Sequence, residues 1–193
     1  IAGGLNLSSG RDNGADMTFE VCNSERLRID AAGATTVTGG FMAAQQGAGT
    51  YAFAAGANAG ATGQCSGAVA IGTNAGATTQ NAQAVAVGPA AGATSQGESA
   101  VAVGRVAGQT NQEDSAVAVG NASGYENQGE SAVALGRSAG YSGQNAFATA
   151  VGRDAGVFDQ GSYSISIGYM AGYTNQAANG IIINSSGAVQ NST

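Results

Sequence analysis

The chain has 193 residues, six basic against twelve acidic side chains, no His, and a net charge of −6. A chain so acidic, and without Lys, is poorly suited to neutralising nucleic-acid phosphates or to settling on an anionic membrane surface. Aromatics at 6% cannot build a thick core, and the lack of His and Lys leaves little for acid–base or nucleophilic catalysis.

Residues 1–42 read as a small β-meander. Met17–Val21, residues 26–30 and residues 35–38 alternate with a period of two, with turns at Asn23-Ser24 and Ala32-Gly33 between them. Residues 43–49, rich in Ala, Gln and Gly, read as a connector. Ile1 begins in mid-pattern, so the chain reads as a fragment or a processed piece. Cys22 and Cys65 lie in different segments and read as free thiols. No apolar run approaches the roughly 18 residues of a membrane span, so no membrane insertion is expected.

From residue 50 to residue 193 the sequence falls into nine blocks of sixteen with no insertion or deletion. Gly holds the seventh place of eight blocks (Gly104, Gly120 and Gly136 among them) and the eleventh place of eight (Gly108, Gly124, Gly140). Gln holds the fifteenth place of eight, as in Gln96, Gln112, Gln128 and Gln144. A fixed period of this kind marks a stacked, quasi-one-dimensional architecture. In the block DSAVAVGNASGYENQG, residues 116–119 alternate as a strand and Gly120 ends it. A second extended stretch is expected near residues 122–125, leading to a polar corner at 126–129. Each block is then one coil of a parallel β-solenoid, and nine coils rise about 43 Å. Glycine at both corners predicts positive φ or close backbone approach.

Both strand faces are apolar. The Val, Ile and Leu column (Val101, Val117, Val133; Val103, Val119, Leu135) reads as the inside. The Ala column then forms an outer face that is small and apolar, where polar residues would be normal. A further copy of the chain is expected to pack there, with Ala102, Ala118 and Ala134 as interface candidates. Cyclic symmetry is the default for such an assembly.

Other columns carry polar groups. Glu98, Asp114 and Glu130 share the first place of successive coils, about 5 Å apart. They read as a solvated ladder eased by Arg105, Arg137 and Arg153, which share the eighth place, from a neighbouring coil or chain; a cation held by oxygen ligands is the sharper alternative. The Gln column reads as a structural hydrogen-bond ladder. Tyr125, Tyr141 and Tyr173 share the twelfth place and are candidates for a surface that binds glycan, or for rings that cap a thin core. N-x-S/T matches at Asn6, Asn121, Asn184 and Asn191 are expected by chance in this composition. Gly47-Ala48-Gly49-Thr50-Tyr51-Ala52 fits a loose dinucleotide fingerprint without the strand–helix context it needs. A carboxylate pair could serve glycoside hydrolysis, but short coils without insertions offer no cleft. No catalytic residue, metal site or cofactor is expected, and the chain is read as not an enzyme.

SAVAVG and AVAIG, followed by xxAG, resemble the head repeats of YadA-like trimeric autotransporter adhesins, whose spacing is usually nearer fourteen residues. The form IGxxAGxxxQG, seen at residues 71–80 and 87–97, is closer to fibres of tailed phages and large DNA viruses. Residues 19–33, FEVCNSERLRIDAAG, are similar to the ERMRIDSSG element of phage tail-fibre shafts. The ending GIIINSSGAVQNST is similar to the segment that precedes a self-cleaving intramolecular chaperone domain in such fibres; that domain is not in this sequence. The resemblance implies a left-handed β-roll in a homotrimer, located in a virion fibre or tail, with other virion proteins and a host glycan or protein receptor as partners. It implies a rigid spacer that serves host attachment. The alternatives are an adhesin head on a bacterial surface and, remotely, a glycan-degrading tailspike.

Overall fold

A computed structural model describes residues 51–191 throughout and, ahead of them, the strands Asn6–Ser9, Met17–Val21, Ser24–Ile29 and Thr35–Val37. The expected connector at 43–49, the turn residues Asn23, Ala32 and Gly33, the Cys22 thiol and the run Gly47-Ala48-Gly49 lie outside the described residues. The chain divides into two units, Ile1–Met42 and Ala43–Thr193. In the first, the four strands pair antiparallel in chain order. The strand Asn6–Ser9 has no counterpart in the sequence reading.

The second unit is a parallel β-solenoid of about eight turns, and every described element in it is a strand or a turn. Nine three-residue strands, from Phe53–Ala55 to Ile181–Ile183, form one parallel sheet. Five more, from Thr62–Gln64 to Glu126–Gln128, form a second. Single bridges extend that second sheet through Ser142, Phe158 and Thr174. Register is fixed at one block: Val101, Ala102 and Val103 pair with Val117, Ala118 and Val119. At about 4.8 Å per strand, the eight steps from first strand to last span about 38 Å.

The second strand is not where the sequence reading put it. Residues 122–125 are turn, and the expected polar corner supplies the strand Glu126–Gln128. The reason is backbone geometry. After the strand ends at Gly120 the chain turns, with Ala122 at φ +55 and Ser123 N–H closing on Gly120 O at 3.5 Å, and the next strand begins only beyond Gly124; that strand itself carries a left-handed residue, Asn127 at φ +53.

Two tight turns bound the first-sheet strands along the body of the stack, as at Val101–Val103. Ala100 N–H donates to Gly97 O at 3.3 Å before it, and Ala107 N–H to Gly104 O at 3.4 Å after it. The third residue of each turn is left-handed, Ser99 at φ +57 and Val106 at φ +51. The seventh-place glycines answer to a different constraint. Gly104 sits at φ +130, and a Cβ on it would lie 2.4 Å from the carbonyl oxygen of Gly120 in the next coil. Backbone stacks on backbone there, so no side chain fits.

The inside is made of Ala, which reverses the sequence reading of the faces. Ala102, Ala118 and Ala134 are fully buried within one chain, as are Ala100, Ala116 and Ala132 and the turn residues Ala107 and Ala139. They cannot be an interface between copies. A coil of sixteen residues encloses a narrow lumen, and only methyl-sized groups fill it without forcing the two sheets apart. The Val, Ile and Leu column therefore points outward, where Ile71, Val119, Leu135 and Ile167 are exposed.

The fourth inward column is Gln, and it closes the lumen by hydrogen bonding. Gln112 Nε2 donates to Val101 O at 2.9 Å in its own coil, to Ala116 O at 3.3 Å, and to Gln128 Oε1 at 3.0 Å. Its Oε1 accepts from Gln96 Nε2 at 3.1 Å. The amide-to-amide chain runs from Gln64 to Gln160. Gln176 Oε1 instead accepts from Ser166 Oγ, in a coil where Ser replaces the inward Ala. Every amide in the series is buried, and apart from Gln64 Oε1 at the start of the column the satisfied bonds are what make a polar column tolerable there.

Candidate functional site

Three surfaces of the solenoid could meet other molecules. The first is the outer face of the nine-stranded sheet. Its fourth-place column runs Val69, Val85, Val101, Val117, Val133 and on to Ile165 and Ile181; its sixth-place column runs Ile71, Val87, Val103, Val119, Leu135, Val151, Ile167 and Ile183. Most are half-buried by their neighbours up and down the stack. At the end, Ile181 and Ile183 are 67% and 71% exposed. A branched apolar strip on this scale, interrupted in the fourth place by Thr149, is uncommon on a free surface. Sequence reasoning found the residues but assigned them to the inside.

The two turns that bound this sheet carry opposite charge. On the corner before the strand lie Glu98, Asp114 and Glu130, all exposed. Asp114 Oδ1 accepts from the Glu98 backbone N–H at 2.7 Å, and Glu113 Oε2 accepts from that of Glu130 at 2.9 Å. These carboxylates cap backbone donors of neighbouring coils, and no group of three or more His, Cys, Asp or Glu able to hold a metal occurs among the described residues.

On the corner after the strand lie Arg105, Arg137 and Arg153. Within one chain the arginines do not ease the acidic column, because the sheet stands between the two corners; of the two expected sources, that leaves a neighbouring chain. Asp154, largely buried, accepts from Arg137 at 3.1 Å and from Arg153 at 2.9 Å. Arg105 faces the amide oxygen of Asn121, at 3.0 Å from its Nε when that amide is oriented to accept. Arg153 also lies 5.1 Å over the ring of Tyr169.

The second surface is a shallow groove of about 780 Å³ along the acidic corner. The sequence reading allowed no cleft. Small residues at the corner make one: Gly97, Gly129, Gly143 and Ala146 leave a trough lined by Asn111, Asn127, Glu113, Asp114 and Glu130. Asn111 Nδ2 donates to Asn127 Oδ1 at 3.1 Å, so part of the lining is engaged within the wall itself.

The third is aromatic and confined to the later coils. Tyr125 and Tyr141 stack with centroids 4.8 Å apart and planes 9° apart. Phe158 meets Tyr141 edge-on at 6.2 Å and Tyr173 edge-on at 6.0 Å. The three candidate tyrosines are thus joined in one column, with Phe158 as the member the twelfth-place reading missed. The stacked pair spends ring faces on each other, the faces on which a sugar would otherwise lie. Phe147 and Tyr163, both exposed, stack at 4.9 Å at the corner that carries the acidic column in earlier coils.

Compared with family models, with curated proteins and with solved structures, the chain matches none. No helix among the described residues is long and apolar enough to cross a membrane.

Proposed function

We propose that the chain is a structural fibre segment of a phage or viral particle, built from three copies, which serves as a rigid spacer and presents a surface for host attachment. The observation that carries this reading is the outward Val/Ile/Leu strip running the length of the solenoid. A free rod would expose it to water; copies packed about an axis parallel to the stack would bury it. The sequence resemblance to viral fibres supports the copy number, the small β-meander of residues 1–42 as a shaft segment, and the virion location. A rod has mechanical value because coils are tied along the stack by the nine-stranded sheet, by the second sheet and its bridges, and as far as Gln160 by an internal amide ladder. Three parallel copies turn weak single contacts into avidity for a host glycan or protein. Two of the groove's carboxylates, Glu113 and Asp114, hold backbone N–H groups, which favours a structural role for them over glycan cleavage.

Light scattering on the purified chain tests the assembly. A mass near three chains is expected, with Val117→Asp reducing it to one while the far-UV signal of the solenoid persists. A folded monomeric parent overturns the reading.

A further inference from the structure

We infer that the groove along the acidic corner binds an extended, uncharged glycan chain lying parallel to the stack, with the Phe147–Tyr163 pair as its stacking platform. The inference rests on the attachment role proposed above and names the ligand class and the surface that takes it. Ring placement is the first observation. Phe147 and Tyr163 sit at φ +61 and +59, where bulky side chains are rare. Earlier coils hold Ser99, Ser115 and Ser131 at the same place, and Asn179 holds it in the coil that follows. Strained positions of this kind collect at ligand-binding sites, where the surroundings hold a side chain ready for use. The rings fill no core, since they are 43% and 60% exposed. They stack on each other, yet their column neighbours Ser131 and Asn179 are short, so the outer face of each ring stays open. The Tyr125–Tyr141 pair lacks this freedom: both rings are half-buried, and Phe158 closes on Tyr141 edge-on.

The groove supplies the second observation. Its lining includes Ala146 and Ser162, the residues immediately before Phe147 and Tyr163. Phe147 N–H also donates to the backbone oxygen of Glu130, another lining residue, at 2.9 Å. From the corner at Asn81 to the corner at Ser162 the groove climbs about 24 Å at the usual strand spacing, a length for an oligosaccharide and not for a single sugar. The fourteenth place presents Thr79, Ser95, Asn111 and Asn127 in succession, so an extended chain meets a polar group at each step. The wall offers both donors and acceptors to hydroxyl groups. Asn111 gives its Nδ2 to Asn127 Oδ1, which leaves Asn127 Nδ2 to donate and Asn111 Oδ1 to accept. Asp114 and Glu113 each hold a backbone N–H with one oxygen and keep the other for a hydroxyl. These carboxylates, with Glu130 beside them and no Arg among the described lining residues, oppose phosphate, sulfate or carboxylate groups, so the glycan is uncharged. A basic peptide fits less well. Two of the three carboxylates are already engaged, and the peptide backbone would find the strands of the wall already paired along the stack.

The test titrates the purified chain with cellohexaose and with N-acetylchitohexaose, both uncharged and extended, and reads binding by calorimetry. The parent is expected to bind at least one of them. Phe147→Ser with Tyr163→Ser places the residue of the earlier coils at both positions. This double variant is expected to bind about tenfold more weakly than the parent and to melt no lower, because it relieves two strained positions. A ring pair with a purely structural role would instead lower the Tm, and that result overturns the platform. Asn127→Gly keeps the left-handed backbone, as Gly63 and Gly143 do at the same place, and removes one amide from the wall. It too is expected to weaken binding without loss of folding. The groove is built within one chain, so the titration reads it in any state of assembly. A parent that binds neither hexasaccharide, variants that bind like the parent, or binding of hexa-arginine in place of the sugars overturns this inference and leaves the fibre reading standing. A monomeric parent that binds the sugars through these residues supports the groove and overturns the fibre reading.

Discussion

Val106 shows what the stacking geometry demands of single residues. It sits at φ +51, where a β-branched side chain crowds its own backbone. The same place holds Asn58 and Asn74 in other coils, and their side chains hydrogen-bond to each other at 3.1 Å. Asn tolerates the left-handed region because its short amide satisfies local groups. Val106→Asn is therefore expected to stabilise the solenoid by about 1 kcal/mol, seen as a rise of about 3 °C in Tm. Gln112 carries the opposite lesson. Gln112→Leu keeps the volume but leaves Gln128 Oε1 without its donor in the lumen, while Ala116 O keeps the Val101 N–H and Gln96 Nε2 keeps Val85 O and Ala100 O. At about 1–3 kcal/mol for a buried group left unpaired, the variant is expected to be less stable by about that amount, measured as a fall in the urea midpoint. Gln112→Glu is expected to fall further, because one carboxylate oxygen keeps the Gln96 amide but the other sets buried negative charge against the acceptors that the Gln112 amide served.

At the scale of the strand, the two faces exchange their roles relative to the sequence reading, and so do the mutations that distinguish them. Ala118→Arg is expected to unfold the coil, since no guanidinium fits a lumen filled by methyl groups. Val117→Asp is expected to leave the coil folded and to abolish association, since its side chain lies on the outer strip. Circular dichroism and light scattering on the two variants separate these outcomes. The period of two and the coil length were legible because each follows from spacing alone. The inside was not, because both faces are apolar and size suggested that Val fills a core better than Ala. Tolerance was the better signal. The fourth place admits Phe53, Val69, Thr149 and Ile165, and a close-packed lumen does not accept such a range. The fifth place is Ala from coil to coil until Ser166. Likewise, the second strand was hidden under polar residues, since in Glu126–Gln128 only Gln128 turns inward.

The whole solenoid is a column in which each coil touches only its neighbours, so its properties should scale with coil number. Of the surfaces, the outer strip was legible as a set of residues and not as a surface; the charge columns were legible as columns, while their separation by the sheet required the turns to be located. The groove had no sequence signal, because it arises where glycine and alanine leave space. The architecture makes a sharp demand on chain length. Removing residues 114–129 joins Glu113 to Glu130 and takes out one complete coil. Every remaining residue then keeps its column: Val101 meets Val133, and Gln112 donates to Gln144 in place of Gln128. The shortened chain is expected to fold with the same far-UV spectrum and a smaller urea m-value, because less surface is exposed on unfolding. Removing residues 114–128 instead shifts every later residue by one place against those below. A one-residue slip exchanges the strand faces, putting Val and Leu into the lumen and Ala outside. It also sets side chains where glycine must stack on glycine. That chain is expected to lose cooperative unfolding across the junction and to be cut there by protease. Equal stability of the two deletions would show that register, and not merely composition, had been given too large a part in holding the column together.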